Sequence, residues 1–246
     1  MLQFLKKIGI NMRLDKYLVE KGYFESRNRA LDAIKCGKVF VNGQVAKASM
    51  KCDDNTNIDI DQEKFYVSRA AKKLELFLEE YPLNLEGKRA IDVGSSTGGF
   101  VQILLEKGVE SVVCVDVGKN QLHHSLRNNS RVSIFEETDI RLFKPTKPFE
   151  LLTCDVSFIS LLHIIEAIDR LSKNEIILLF KPQFEVGRNV KRNSRGVVLD
   201  KDAILEAKSR FEAKAQELNW ELVYRTTSKL IGKLGNVEYI YYFRKS

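Results

Sequence analysis

Ala90 to Phe100 reads AIDVGSSTGGF, an apolar strand that runs into a turn of small residues and on into a helix. Gly94, Gly98 and Gly99 lack a Cβ, so the turn can take positive φ and lie against a ligand. The helix beginning at Phe100 leaves N–H groups free at its start. A second strand, Ser111 to Val117, ends in Asp116, 24 positions after Asp92, where a mononucleotide fold places a carboxylate on ribose hydroxyls. The pair implies a nucleoside-containing cofactor. The spacing is Gly-x-x-x-Gly-Gly rather than Gly-x-Gly-x-x-Gly, and no Gly-Lys-Ser/Thr closes the loop, which disfavours nucleotide phosphates. Asp92, the glycine turn and the acidic second strand end suit S-adenosylmethionine, a cofactor with a sulfonium and an ammonium but no phosphate. Ser95, Thr97 and Phe100 complete the candidate cofactor contacts of this turn, for which a purely structural turn is the other reading.

The chain has 246 residues, room for one domain of ordinary size plus a small one, and its 44% apolar and 30% charged content describes a soluble protein with a core. Apolar runs such as Ile176 to Phe180 are too short to span a bilayer, and Met1 to Ile10 lacks a signal-peptide pattern, so a cytoplasmic location is expected. Cys36, Cys52, Cys114 and Cys154 show no Cys-x-x-Cys, and His123, His124 and His163 have no ligand spacing, so no metal site or disulfide frame is expected. The net charge of +7 is confined to one segment: residues 1–51 hold 11 Lys/Arg against 4 Asp/Glu. Such a local surplus marks a docking surface for a polyanion, nucleic acid ahead of anionic membrane.

Residues 1–11 show no pattern. From Met12, Leu14, Tyr17 and Leu18, then Ala30, Leu31 and Ile34, recur at helical spacing around Gly22 and the cap Ser26, which predicts two short helices. Lys38 to Val45 alternates about Asn42-Gly43, a hairpin signal. Arg27, Arg29, Lys35 and Lys38 can share the face opposite the apolar stripe. Residues 12 to about 60 resemble the alpha-L RNA-binding motif, through Arg13-Leu14-Asp15, Ser26-Arg27 with Ala30, Gly37-Lys38-Val39 and Val41-Asn42-Gly43. The resemblance implies a grip on structured RNA by shape and phosphate.

Asp53 to Asp61 is acidic and turn-rich, and the domain boundary is placed near residue 62, giving domains 1–62 and 63–246. Ser68 to Glu80 then predicts an amphipathic helix with Ala71, Leu74, Phe77 and Leu78 inward. Further strands are expected at Arg131–Phe135, Leu151–Val156, Ile176–Phe180, Glu221–Thr226 and Val237–Phe243, and helices around Leu161–Leu171 and Ala203–Leu218. This alternation indicates an α/β, doubly wound sheet with one antiparallel strand near the end. Asp139, beyond the third strand, is a cofactor contact or a turn cap.

Ligands of such sheets bind beyond the carboxyl ends of the strands, where Asp155 and Lys181 fall. Lys73 and Glu238 can complete a set of two amines and two carboxylates. That composition suits methyl transfer to a weakly acidic hydroxyl, with Lys181 orienting and deprotonating it, Lys73 favouring the neutral amine, and the carboxylates holding both. Salt bridges at strand ends are the plainer reading. Asp155-Val156-Ser157-Phe158 lacks the Asn/Asp-Pro-Pro-aromatic pattern of amine methylases, and no Pro-Cys offers a thiol for carbon-five methylation.

Ser68-Arg69 with Lys73, Asp92-Val93-Gly94, Thr97-Gly98-Gly99-Phe100, Asp155-Val156-Ser157-Phe158-Ile159, Lys181-Pro182-Gln183-Phe184-Glu185 and Gly235-Asn236 with Glu238 resemble the TlyA (hemolysin A) family. The resemblance implies an alpha-L RNA-binding domain fused to a Rossmann-like, FtsJ-like, S-adenosylmethionine-dependent rRNA 2′-O-methyltransferase. It also implies a Lys-Asp-Lys-Glu tetrad, carried onto Lys73, Asp155, Lys181 and Glu238. Lys72 is the neighbouring alternative, and Lys73 is chosen because it directly precedes Leu74. The substrate implied is a cytidine ribose of rRNA within ribosomal subunits; the chain is short at both ends for the family, which points to 23S rRNA of the large subunit ahead of 16S rRNA. Neither metal nor membrane enters this reading, and a monomer is assumed. The basic stretch Gly187 to Gly196 places Arg188, Arg192 and Arg195, with Arg69 nearby, as RNA-phosphate ligands on a mobile loop, or as a solvated surface. A non-catalytic rRNA-binding factor and a cytolysin are the alternatives, and the second has no membrane-spanning or strongly amphipathic segment in its favour.

Overall fold

Separate sets of apolar side chains divide the chain into two units, Met1–Phe65 and Tyr66–Ser246. The computed structural model describes residues 12–24, 26–61 and 64–245. The patternless residues 1–11 and the boundary expected at residue 62 lie outside the described residues.

In the first unit β1 (Met12–Arg13) leads into α1 (Leu14–Glu20) and α2 (Arg27–Lys35), followed by β2 (Val39–Val41), β3 (Gln44–Val45), β4 (Lys51–Cys52) and β5 (Ile58–Ile60). Ser26 caps α2 by accepting the Arg29 N–H at 3.3 Å. The β2–β3 turn takes positive φ at both Asn42 (51°) and Gly43 (78°), the demand that makes Asn-Gly the preferred pair there. Leu14, Leu18, Ala30, Ile34 and Val39 form the core. Two features of this unit depart from the sequence reading. The acidic stretch 53–61 is not turn throughout, because Ile58 and Ile60 alternate with Asp59 and β5 pairs antiparallel with β2. Met12 and Arg13 likewise form a strand, paired with β4.

The second unit opens with α3 (Arg69–Glu80) and continues through β6 (Arg89–Val93), α4 (Gly99–Glu106), β7 (Ser111–Val115), α5 (His124–Arg127), β8 (Val132–Phe135) and β9 (Phe149–Cys154). A 3-10 turn (Leu161–His163), α6 (Ile165–Leu171), β10 (Ser172–Phe180), α7 (Pro182–Glu185), α8 (Lys201–Glu217), β11 (Trp220–Thr227) and β12 (Tyr239–Lys245) complete it. The sheet order is β11-β12-β10-β9-β6-β7-β8. Strands β10, β9, β6, β7 and β8 are parallel, and β12 runs antiparallel between β10 and β11. Successive residues of each central strand serve opposite layers. Ala90, Leu151, Ile177 and Tyr242 pack with α3 and α4, whereas Ile91, Leu152, Leu178 and Tyr241 pack with α6 and α8. The expected doubly wound α/β sheet is therefore the observed one, with both faces covered.

Two strand ends and one helix differ from expectation. The second strand stops at Val115, so Asp116 follows it, and Glu238 precedes β12 rather than lying within it. The helix expected over Leu161–Leu171 is divided at Ile164 into the 3-10 turn and α6, and at the start of that turn the Glu185 carboxylate accepts the Leu161 N–H at 2.9 Å and the Ser160 hydroxyl at 2.5 Å. Among the described residues no helix is long and apolar enough to cross a membrane.

Phe211 of α8 is fully buried among Phe180, Tyr241 and Phe243, with ring centroids 5.4–5.9 Å away. Phe211→Ala is expected to lower unfolding stability by about 3–5 kcal/mol in chemical denaturation, against less than about 0.5 kcal/mol for the exposed Leu205→Ala.

Candidate active site

The carboxyl ends of β6, β9 and β10 and the starts of α3 and α4 line one cleft of about 450 Å³, within the ~300–1,000 Å³ range of small-molecule sites. α3 carries Lys73 to its wall because Ala71, Leu74, Phe77 and Leu78 bury the helix face against the sheet. There the Lys73 ammonium pairs with the carboxylate of Glu238, both buried. Lys72 instead donates to Tyr66 Oη and Glu75 Oε2, each at 3.0 Å, and is not among the residues lining the cleft. Lys181, at the end of β10, lies 2.5 Å from Asp155 Oδ1 and donates to Ser157 Oγ at 3.0 Å. Four residues read from distant parts of the sequence thus stand as two ion pairs at one cleft.

Asp92 lines the same cleft and is 2% exposed. Burial pushes its carboxyl up to about 7, opposed by the Thr153 hydroxyl at 2.6 Å and reinforced by Asp155 and Asp116. Gly94, Ser95, Thr97, Gly99 and Phe100 also line the cleft. Ser68 Oγ is buried on its wall with no hydrogen-bond partner among the described residues. Carboxylates for cationic groups, backbone N–H groups and a spare hydroxyl are the donor set that a cofactor with both ammonium and carboxylate ends needs, so the residues fit S-adenosylmethionine.

The glycines answer to the protein's own packing. Gly98 has φ 89° and a Cβ there would come 2.3 Å from Leu126 Cδ1, while one on Gly99 would come 2.7 Å from the Ala71 N. α3 and α4 can touch only because Gly99 has no side chain. Gly98 itself lies outside the cleft lining, as do Asp116 and Asp139. Asp116 accepts the N–H groups of Ser96 at 2.8 Å and Gly118 at 2.7 Å, bracing the glycine turn. Asp139 accepts the Arg141 N–H at 2.9 Å and pairs with its guanidinium, which holds its carboxyl below the usual range; its observed contacts are those of the turn cap.

The basic stretch after α7 is corrected more deeply. It forms a closed hairpin in which Asn193 N–H donates to Val197 O and Leu199 N–H to Lys191 O. Arg192 is spent inside it, donating to the carbonyls of Gly187 (2.6 Å), Val190 (2.9 Å), Arg188 (3.1 Å) and Gln183 (3.4 Å). Arg188 and Arg195 remain exposed. Arg69 is exposed at the cleft and donates to Ile231 O at 2.8 Å. In the first unit Arg29 and Lys35 are exposed and Lys38 is half-buried, whereas Arg13 and Arg27 converge on the buried Asp15 at 3.0 and 2.5 Å. Burial alone would raise that carboxyl, and the two guanidiniums hold it below its ordinary value.

Sequence reading assigned no role to Ser157, Phe158 or Lys233. Phe158 is 92% exposed, has φ 66° and rests on Phe184 with ring centroids 5.2 Å apart. A bulky residue held in that region carries about 1–3 kcal/mol of strain, and such strain clusters at ligand clamps. Its place three residues after Asp155 was the available signal; its exposure was not.

Residues 66–245 match the FtsJ-like methyltransferase family and residues 12–58 the S4 domain. The chain is 46% identical to the 23S rRNA (cytidine-2′-O)-methyltransferase TlyA of Campylobacter jejuni, over 96% of this chain and 100% of that one. It is 38% identical to the 16S/23S rRNA (cytidine-2′-O)-methyltransferase TlyA of Mycobacterium tuberculosis, over 94% and 89%. A solved structure of a candidate hemolysin from Streptococcus thermophilus superimposes over 96% of this chain and 89% of its own, with TM-score 0.71 and 33% identity.

Because Asp92 holds its proton to about pH 7 when folded and to about pH 4 when unfolded, folding takes up a proton in between. Its contribution to stability therefore falls by up to about 1.4 kcal/mol per pH unit as pH rises from 4 to 7, and levels off above. Asp92→Asn is expected to gain on the wild type between pH 5 and 7 in denaturant midpoints; parallel profiles would count against it. Arg192→Ala is expected to speed amide hydrogen exchange across residues 187–199, and Arg195→Ala to leave it unchanged.

Proposed function

The chain belongs to the FtsJ-like methyltransferase family, and on that premise we propose that it transfers a methyl group from S-adenosylmethionine to the 2′-hydroxyl of a cytidine in rRNA. The observation that carries this reading is the pair of amine–carboxylate couples, the buried Lys73–Glu238 and the partly buried Lys181–Asp155, at the edge where the parallel strands end. A relative matched along its whole length acts on 23S rRNA, which favours the large subunit as substrate.

When bound, S-adenosylmethionine supplies an electrophilic methyl group. A cation beside Asp92 favours the ionised form of its buried carboxyl, which then pairs with the cationic cofactor, with Asp155 on the same wall; Ser68 offers a hydroxyl for the cofactor's carboxylate end. Lys181, steered by Asp155 and Ser157, orients the 2′-hydroxyl; its ammonium passes one proton to the Asp155 carboxylate 2.5 Å away, and the neutral amine takes the hydroxyl proton as the oxygen becomes a nucleophile. Lys73, fixed by Glu238, stands at the same wall and stabilises negative charge on that oxygen. Orientation of this kind contributes roughly 7–11 kcal/mol and the proton acceptor about 10²- to 10⁴-fold. The exposed ring of Phe158 provides a face on which an unstacked base can rest.

The N-terminal S4 domain, with domains divided at about residue 62, supplies RNA affinity through Arg29, Lys35 and Lys38. Arg13 and Arg27 contribute through the charge left exposed beside Asp15. On the methyltransferase domain Arg69, Arg188 and Arg195 are the phosphate ligands, and Arg192 shapes the loop that presents two of them.

Labelled S-adenosylmethionine incubated with unmodified small subunits, large subunits and naked rRNA tests the reading. Label is expected on a cytidine ribose of 23S rRNA, falling by about 10²- to 10⁴-fold in Lys181→Ala with cofactor binding retained. Measurable cofactor binding with no label on any RNA would leave an rRNA-binding factor.

A further inference from the structure

The cleft holds three amines, and only two are neutralised. Lys73 and Lys181 have their carboxylates, whereas Lys233 lines the same cleft, is exposed, and has no hydrogen-bond or ion-pair partner among the described residues. It sits in the connection from β11 to β12, which is fastened along its length. Ser228 N–H donates to Glu238 O at 2.8 Å, Gly232 N–H to Asn236 O at 2.7 Å and Gly235 N–H to Gly232 O at 2.9 Å. The Arg69 guanidinium holds Ile231 O from outside. Asn236 accepts the Val198 N–H at 3.0 Å and donates to Gly196 O at 3.3 Å, tying the connection to the basic hairpin.

The turn bearing Lys233 also lies directly on the tetrad. A Cβ on Gly232 would stand 2.6 Å from Glu238 Oε1, so the residue before Lys233 packs against the carboxylate that holds Lys73. An unpaired ammonium is thus presented by an ordered loop at the rim of a cleft whose other lysines are already paired. The turn's backbone is already ordered, so only the lysine's own rotamer entropy opposes its use. Such a group receives an anion.

The reaction names which anion. A ribose 2′-hydroxyl and the 3′-phosphodiester sit on adjacent carbons, so any pose that brings the hydroxyl to Lys181 carries a phosphate to the rim. We propose that Lys233 receives the RNA phosphodiester next to the methylated ribose, an assignment that rests on the 2′-O-methyltransferase reading. Its role is to place the target nucleotide; because Lys233 lines the same cleft as Ser68, a loss of cofactor affinity in Lys233→Gln would give it to the cofactor's carboxylate and overturn the assignment.

Lys233→Gln should raise KM for rRNA roughly tenfold at moderate salt, with a smaller change in kcat. It should flatten the slope of log KM against log salt by about 0.7, one single-strand phosphate contact, and leave calorimetric cofactor affinity unchanged. Lys233→Arg should keep both KM and slope near wild type. Lys233→Cys carrying an azidophenacyl group should crosslink to rRNA within a nucleotide of the methylated position. An active wild type whose Lys233→Gln variant keeps KM and slope, or a crosslink far from the modified residue, overturns the assignment alone. A wild type that binds cofactor but methylates no ribose overturns the methyltransferase reading and this assignment with it.

Discussion

The buried ion pair between Lys73 and Glu238 joins the first helix of the catalytic unit to the segment before its last strand, 165 residues away. Neither charge has water to fall back on. Removing one partner of such a pair leaves an uncompensated buried charge and costs about 3–5 kcal/mol, so the elements on both sides are held to a narrow geometry. The sheet order meets this demand: β12 returns antiparallel between β10 and β11, and its start therefore reaches the edge at which the parallel strands end. The same crossing brings Asn236 to the basic hairpin and Gly232 against Glu238.

Rigidity below the cleft permits irregularity at its mouth. Two apolar layers grip every central strand, and the α3–α4 contact closes tightly over Gly99. On that base Phe158 is kept at positive φ with its ring in solvent, and Lys233 is carried on a turn with three backbone hydrogen bonds. The basic hairpin follows the same economy of motion. One arginine, Arg192, satisfies four carbonyls so that Arg188 and Arg195 can face outward on a fixed loop.

Much of this could be read along the chain, and the residues show where reading stopped. Asn42-Gly43, Ser26 and the Ala71–Leu74–Phe77–Leu78 stripe each encode geometry within a few positions, and the hairpin, cap and helix appear where they were expected. β5 was obscured because the aspartates around Ile58 and Ile60 read as turn; their pairing with β2 lies in a partner strand, not in local composition. Asp139 was legible as either a cofactor contact or a cap, and the nearby Arg141 guanidinium accounts for the contacts it makes.

By itself the sequence determined the strand–helix alternation of the second unit, the glycine turn between Asp92 and Phe100, and the two lysines and two carboxylates of the ion pairs, since alternation and motif spacing are properties of neighbouring positions. Only the tertiary structure decided that Lys73 rather than Lys72 meets Glu238, that Arg192 serves its own loop, that Phe158 stands in solvent, and that Lys233 reaches the cleft with no partner among the described residues. The reason is physical. A charge takes the partner that the sheet brings to it, and the sheet sets those meetings across separations that local spacing does not encode.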